Sequence, residues 1–465
     1  MQELTIPFHN IKIMIFPMIF SLLLNQATGM EDSAPESSVG REFPARLHYL
    51  EMPMAFEQGL KPLPLNSAQQ TSWGRIEDGR QFADQVNTLG QYNSSLASIE
   101  EASGPWDSGL TEQLLMVGSL EQEQGNHIEA IKSLSRAVHI SRITNGLYTL
   151  DQVAALEKII DSYIAVENWQ DADLYQNYLF FIEHRAYGAS DSRIISSLER
   201  LALWNMEMFA IGFGEALGVR LSNAQMLQNA AIRAVVMHFG EGDERLPDLL
   251  RNLATSAYQV KMYPEYAAEV AQPEYRSQQE SFRQKLNGST SIIPDSFRTG
   301  EAALTAIVNY HYKTSSNKYE LAEAITHVGD WYLLFDRRRK QAEVLYLQAW
   351  ELLRDEEDGD DLINRLFGSV APLPTFVNTS KNFQLRSSDV KIKSSMEHSI
   401  ADLSFSVTAA GVVRDIELLS EETDENARWL ARISRDARMS KFRPILVEGR
   451  PSASDGHIFR YRYWY

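Results

Sequence analysis

Few groups of residues in this chain have both the types and the spacing that chemistry requires. The segment GFGEALG, from Gly212 to Gly218, carries glycines of the kind that let backbone amides approach a phosphate. Its spacing does not fit, and the residues before it have a helical period where a dinucleotide fingerprint needs a strand, so no phosphate site is expected there. DEEDGDD, from Asp355 to Asp361, is dense enough in carboxylates to suggest calcium. Setting Gly359 at the sixth position of such a loop puts Arg354 first and Arg365 twelfth, where carboxylates belong, so the run reads as a solvated linker. His127, His139, His184, His238 and His327 each stand alone, without the His-x-x-x-His spacing that sets two ligands on one helix face. Asp151 with Glu157, or Asp161 with Glu167, could act as an acid and base only inside an enclosed cleft, and nothing in the sequence builds one. The chain has no cysteine, which removes disulfides, thiolate zinc sites and thiol nucleophiles together. No catalytic residue, metal or cofactor is expected.

The candidates that remain are for binding. Asp336 to Lys340, DRRRK, is a basic cluster that falls between two helical segments and reads as a solvent-facing turn. The chain's final run, GHIFRYRYWY, alternates Phe459, Tyr461, Tyr463 and Tyr465 with Arg460, Arg462 and Trp464. A strand with its aromatic face buried would leave Arg460, Arg462 and Trp464 as the partner-facing set. If that strand lies at a sheet edge, its unpaired amides and carbonyls are a template for an added strand. The arginines would then either meet a partner's carboxylates or simply solubilise the outer face.

Elements around that run build a small domain from residue 398 to 465. ADLSFSVT, from Ala401, has the period of a strand with one buried face, and Gly411 turns the chain into a second strand, Val412 to Leu419. In that partner, Val412, Ile416 and Leu418 are expected on one face, and Val413, Asp415 and Glu417 on the other. Asn426, Trp429, Leu430, Ile433 and Ala437 then share a helix face. In SKFRPILVEGRPS, Pro444 and Pro451 favour a loop or edge. The order is strand, strand, helix, strand, an α+β arrangement. This order, with Gly-Val-Val-x-x-Ile at Gly411, Phe442-Arg443-Pro444, Glu448-Gly449-Arg450-Pro451 and a closing aromatic strand, resembles the C-terminal domain of TonB-family energy transducers. The resemblance implies a periplasmic domain that grips outer-membrane transporters by adding one of their strands to its sheet. It covers about the last seventh of the chain. The spanning N-terminal helix and long Pro-rich stretch of a complete transducer have no counterpart here.

The remainder must deliver that domain. At 465 residues, 44% hydrophobic and 23% charged, the chain has the composition of a globular protein with two or three domains. Its net charge of −18 resides before residue 381, the stretch from Lys381 to Tyr465 being slightly basic, and argues against nucleic acid, which demands a basic surface. Lys12, the apolar run Ile13 to Leu24 and Ala27-Thr28-Gly29 read as a cleaved export signal over residues 1–29, the run being short of the ~20 residues that span a bilayer. Residues 30–75 form a Pro- and Ser-rich extended leader, with Pro44, Pro53, Pro62 and Pro64 breaking any regular element.

From 76 to 367 the period is helical. LLMVGSLEQEQGNHIEAIKSLSRAVHISR places Gly118, Ala130 and Ala137 where two antiparallel helices meet closely, with Leu134 filling the space between. This resembles a tetratricopeptide pair. A second copy has Tyr163, Ala172 and Leu179, at a period longer than the usual ~34 residues. A later one has Gly329, Tyr332, Ala342, Tyr346 and Ala349. Stacked, such pairs make an all-α tetratricopeptide-like solenoid, joined through a linker over 368–397 to the α+β domain. Pro372 marks the joint, across which few contacts are expected.

Together these readings describe a multi-domain periplasmic adaptor without enzymatic activity. Its expected partners are envelope proteins, an outer-membrane transporter or a motor-complex component, with no nucleic acid and no stable membrane span. A structural assembly factor of the envelope, or an enzyme whose site is dispersed through the helices, are the other classes considered.

Overall fold

Small residues decide where the helices meet. The computed structural model describes residues 54–55 and 79–464, except 211, 215, 263–267, 287–295, 316, 378–397 and 424–425. The expected export signal, most of the leader and most of the expected linker therefore lie outside the described residues. The helices α1 (Gly79–Ser103), α2 (Gly109–Glu123), α3 (His127–Thr144), α4 (Val153–Ala165) and α5 (Trp169–Tyr187) each pack on the next in the chain. At the α2–α3 crossing, a Cβ on Gly118 would lie 2.5 Å from Leu134 Cγ, so only glycine admits that leucine. Gly125, at φ +78°, turns α2 into α3, a backbone region that costs glycine nothing. Asn168 starts α5 by accepting a hydrogen bond from the Asp171 amide at 3.2 Å.

The series continues through α6 (Ile194–Ala210), α7 (Leu217–Phe239), α8 (Leu246–Met262), α9 (Pro273–Lys285), α10 (Ser296–Thr314), α11 (Lys318–Leu334), α12 (Arg339–Arg354) and α13 (Gly359–Phe367). Helix α9 leans on α7, so α10 packs directly on α8. Two large apolar clusters fill the array, one running from Leu96 to Leu286 and one from Leu246 to Phe376, beside a small one of Met206, Phe209, Leu221 and Ala224. The second centres on Trp331, fully buried, whose indole edge occupies the space beside Gly300 and donates to the Phe297 carbonyl at 3.1 Å. No helix among the described residues is long and apolar enough to cross a membrane.

The terminal sheet consists of β1 (Met54–Ala55), β3 (His398–Val407), β4 (Val413–Leu418) and β8 (Ser454–Trp464) in the order β1-β8-β3-β4, every pair antiparallel. Helix α14 (Ala427–Met439) covers it with Leu430, Ile433 and Ala437. Beneath lie Phe405 and Phe459, stacked at 5.2 Å, with Phe442 edge-on to both. After Pro444 the chain forms β6 (Ile445–Val447) and then β7 (Arg450–Ser452), which holds Pro451, a two-stranded ribbon outside the main sheet. One expectation needs correction. Val413, not Val412, is the buried residue of β4, because Asp415 at φ +52° shifts the alternation while Ile416 and Leu418 still reach the core.

The boundary near Pro372 also departs from expectation. Short strand β2 (Ala371–Pro372) pairs with β5 (Phe442–Arg443), Val370 joins the terminal core, and Leu373 and Phe376 are buried in the helical core. Burying such side chains contributes about 1.5–3 kcal/mol each. Contacts thus cross the punctuated stretch, and the described residues on its two sides belong to one compact unit. Charge seals the joint. Asp330 of α11, wholly buried, accepts from Tyr346 OH at 2.8 Å, from Thr375 Oγ1, and from Arg443 Nη1 at 3.2 Å. Burial raises the Asp330 carboxyl above its ordinary range despite the opposing cation. At the rim, Lys441 Nζ donates to Asp336 at 2.8 Å, and the close approach of Gly449 to Leu347 and Trp350 brings the ribbon onto α12.

Candidate functional site

The last strand is where the sequence placed its binding residues, and its side chains are described as far as Tyr461. Phe459 and Tyr461 are buried against α14, so the strand is fixed by burial of large side chains. The Tyr461 hydroxyl has no hydrogen-bond partner in that core, and burial raises its pKa. On the opposite face, Arg460 meets a carboxylate from its own sheet. Its Nε and Nη2 donate to Asp402 Oδ1 and Oδ2 at 2.8 and 2.7 Å, a bidentate pair set up by the direct register of Asp402 with Arg460. That bond pushes the Arg460 pKa upward.

Arg462 and Trp464 follow on the same strand opposite Ile400 and His398, and their side chains lie outside the described part. The backbone therefore brings Arg460, Arg462 and Trp464 to alternate positions along β8, as the period requires. Asp402 was legible only as an outward residue of its strand, since its pairing depends on a register that the sequence alone does not fix.

The edges of the sheet decide what the site can do. At β4, Arg414, Asp415 and Glu417 are exposed and Asp415 distorts the ladder, features that discourage strand pairing. The β8 side is different. There Met54 pairs with Arg460 and Ala55 with Phe459, so the closing strand has neighbours on both sides at these two residues and is not a bare edge. From Tyr461 to Trp464, β8 has no strand neighbour on that side among the described residues.

The other candidate segments resolve into structural roles. The amide of Gly218 near the start of α7 donates to Glu269 Oε2 at 2.6 Å, so a carboxylate of the chain occupies the place a phosphate would need. Arg338 of the basic turn pairs with Glu301, while Arg337 and Arg338 lie over Phe297. The acidic run supplies the start of α13. No group of three or more carboxylates or histidines among the described residues could hold a metal ion. An open groove of about 510 Å³ between α7, α8 and α10 is lined by Ile232, Leu250, Leu253 and Ala303, with Arg298 its one ionisable residue, and so offers no acid–base pair.

Compared with known proteins, the chain matches no family model, and no curated protein is significantly similar to it.

Proposed function

We propose that this chain is an exported, non-enzymatic adaptor of the Gram-negative envelope, binding proteins through strand addition at the β8 edge of its terminal domain. The observation that carries the proposal is the pairing of Met54–Ala55 with β8, in which a segment remote in sequence lies antiparallel along this side of the strand. Main-chain bonds supply most of the affinity in such a mode, and Arg460, Arg462 and Trp464 tune the choice of partner. The TonB-like order of elements supports an outer-membrane transporter or its motor complex as the partner class. The helical array, read as tetratricopeptide-like, serves as the scaffold and docks the terminal domain. Export rests on the N-terminal signal pattern of residues 1–29.

The test is site-specific photo-cross-linking from residue 462 in cells, with fractionation of the envelope. An outer-membrane transporter or motor component should be captured, and Arg462→Pro should abolish the adduct while the chain keeps its circular dichroism. Absence of any envelope protein among the adducts would overturn the adaptor reading. Adducts only with a periplasmic assembly subunit would replace transport by a structural role.

A further inference from the structure

We infer that the basic joint where the α11–α12 turn meets the end of α14 is a contact surface for an anionic phospholipid bilayer, separate from the β8 edge and independent of the adaptor reading. Carboxylates outnumber lysines and arginines 62 to 44 in this chain, and the helical array uses them to pair Arg136, Arg193, Arg200, Arg220, Arg245 and Arg251. At the joint the balance reverses. Residues 427–441 hold five cations and one carboxylate, Asp436, which lies 4.0 Å from Arg432. Arg435 and Arg438 are exposed and have no carboxylate partner among the described residues.

Lys441 joins this helix end to a second basic segment. Its Nζ donates to Asp336 at 2.8 Å, which fixes the exposed turn over residues 336–340 beside it. Only three residues, about 11 Å of chain, separate Lys441 from Arg438. Within the turn Arg338 is held by Glu301, but Arg337, stacked 4.8 Å over Phe297, keeps the N–H edge of its guanidinium available. Arg339 reaches only Glu343, at 3.6 Å across an exposed helix face, and Lys340 has no carboxylate partner among the described residues.

Helix stability does not select this arrangement. Arg339 and Lys340 fall in the first turn of α12, which has no acidic residue, so both oppose the positive end of its dipole. Asp336 and Arg338 have φ of +50° and +55°, a region glycine enters with less strain. A turn that only reversed the chain would gain nothing from such charge, whereas a surface that meets phosphate does.

Charge alone suits any polyanion, and Met439 decides among them. It is 78% exposed, one helical turn after Arg435, on the face of α14 turned away from the buried Leu430, Ile433 and Ala437. An apolar side chain among cations matches a bilayer, where acyl chains lie directly beneath anionic headgroups, and a nucleic acid offers no such layer. Each basic residue at an anionic lipid surface strengthens binding about fivefold, so Lys340, Arg435 and Arg438 together account for about a hundredfold.

The test uses the full chain with vesicles of phosphatidylcholine, alone or mixed with phosphatidylglycerol. At low ionic strength the chain should sediment with the mixed vesicles and not with phosphatidylcholine alone, and salt should release it. Lys340→Gln, Arg435→Gln and Arg438→Gln combined should weaken the partition about a hundredfold, while Lys340→Arg, Arg435→Lys and Arg438→Lys combined should preserve it. All three side chains are exposed, and unchanged circular dichroism checks the fold. The absence of cysteine allows a second readout. An environment-sensitive fluorophore on Met439→Cys should shift to the blue on mixed vesicles. The same label on Tyr312→Cys, equally exposed but about 22 Å along α10 from Phe297, should not. No partition into mixed vesicles, a partition that the glutamine substitutions leave unchanged, or no blue shift at position 439 overturns the inference. Binding to duplex DNA or to polyglutamate without vesicle binding also overturns it, and transfers the patch to another polyanion. Photo-adducts from residue 462 report on strand addition and should not change with the glutamine substitutions, so the adaptor reading fails separately.

Discussion

Removing the cation from the Asp330–Arg443 pair should destabilise the chain more at neutral than at acid pH, whereas removing the anion should not show that relief. Asp330 is fully buried and Arg443 nearly so, and the Arg443 Nε has no partner even in the intact pair. Breaking such a pair from one side costs about 3–5 kcal/mol, because the remaining charge stays out of water. In Arg443→Met, Asp330 keeps its bonds from Tyr346 and Thr375 and can escape the penalty by taking a proton. Its folded pKa already lies above the ordinary value, and loss of the cation moves it further in that direction. A raised folded pKa gives stability that is complete below the unfolded pKa and is lost as pH rises through the folded one, so the defect should shrink from pH 7 to pH 5. In Asp330→Asn, the guanidinium cannot lose its proton, and the cost has no corresponding escape. The double variant retains a side-chain carbonyl for Tyr346 and Thr375 and buries no charge. It should recover a coupling energy of about 2–3 kcal/mol relative to the sum of the singles. Urea midpoints followed by tryptophan fluorescence, with Trp331 beside the pair, measure all four corners of the cycle. Additive effects, or single-variant costs below about 1 kcal/mol, would refute the account.

Three further perturbations test the packing. Gly300→Ala puts a Cβ about 2.2 Å from the Trp331 ring, and the indole must shift inside a full core, so a loss of about 1–3 kcal/mol is expected in the urea midpoint. Tyr461→Phe removes a buried hydroxyl that has no partner, and the melting temperature should stay level or rise, by the equivalent of about 1 kcal/mol. His327 has its pKa lowered to about 3, chiefly by its burial and further by the nearby cations Arg443 and Arg251. The unfolded chain therefore takes up this proton first as pH falls below about 6.5, and His327→Gln should spare about 2 kcal/mol of the stability otherwise lost between pH 7 and pH 5 in matched urea titrations.

The helical part was legible because its signals are local. Gly118, Ala130, Leu134 and Ala137 sit at spacings that only a close helix pair uses, and the structure buries Ala130, Leu134 and Ala137 completely. The buried face of β3, the covering face of α14 and the aromatic side of β8 were equally open to period reading. What escaped is what sequence separation hides. Nothing local to Asp330 announces Arg443, and nothing in the leader announces that Met54 reaches Arg460, since such pairings depend on register and topology. The parity slip at Asp415 was missed for another reason, a non-glycine residue at positive φ being too rare to expect from sequence. The carboxylate that meets the Gly218 amide, Glu269, could not be foreseen either, being distant in sequence.

The docking surface and the binding edge of the terminal domain use different residues, and that separation has a functional consequence. Docking rests on Lys441 and Arg443 of the β5 region, on Gly449 of the β6–β7 turn, and on Gly411 after β3, which approaches Leu333 of α11. The binding edge belongs to β8 from Phe459 onward and to the leader strand that covers part of it. None of the docking residues lies on that edge. Arg443→Met should therefore loosen the domain from α11, seen as faster proteolysis between residues 378 and 397, without altering the yield of photo-adducts from residue 462. If the adduct yield instead changes tenfold with Arg443→Met alone, docking and binding are coupled through the domain, and the helical array would have to be counted as part of the binding device rather than as its support.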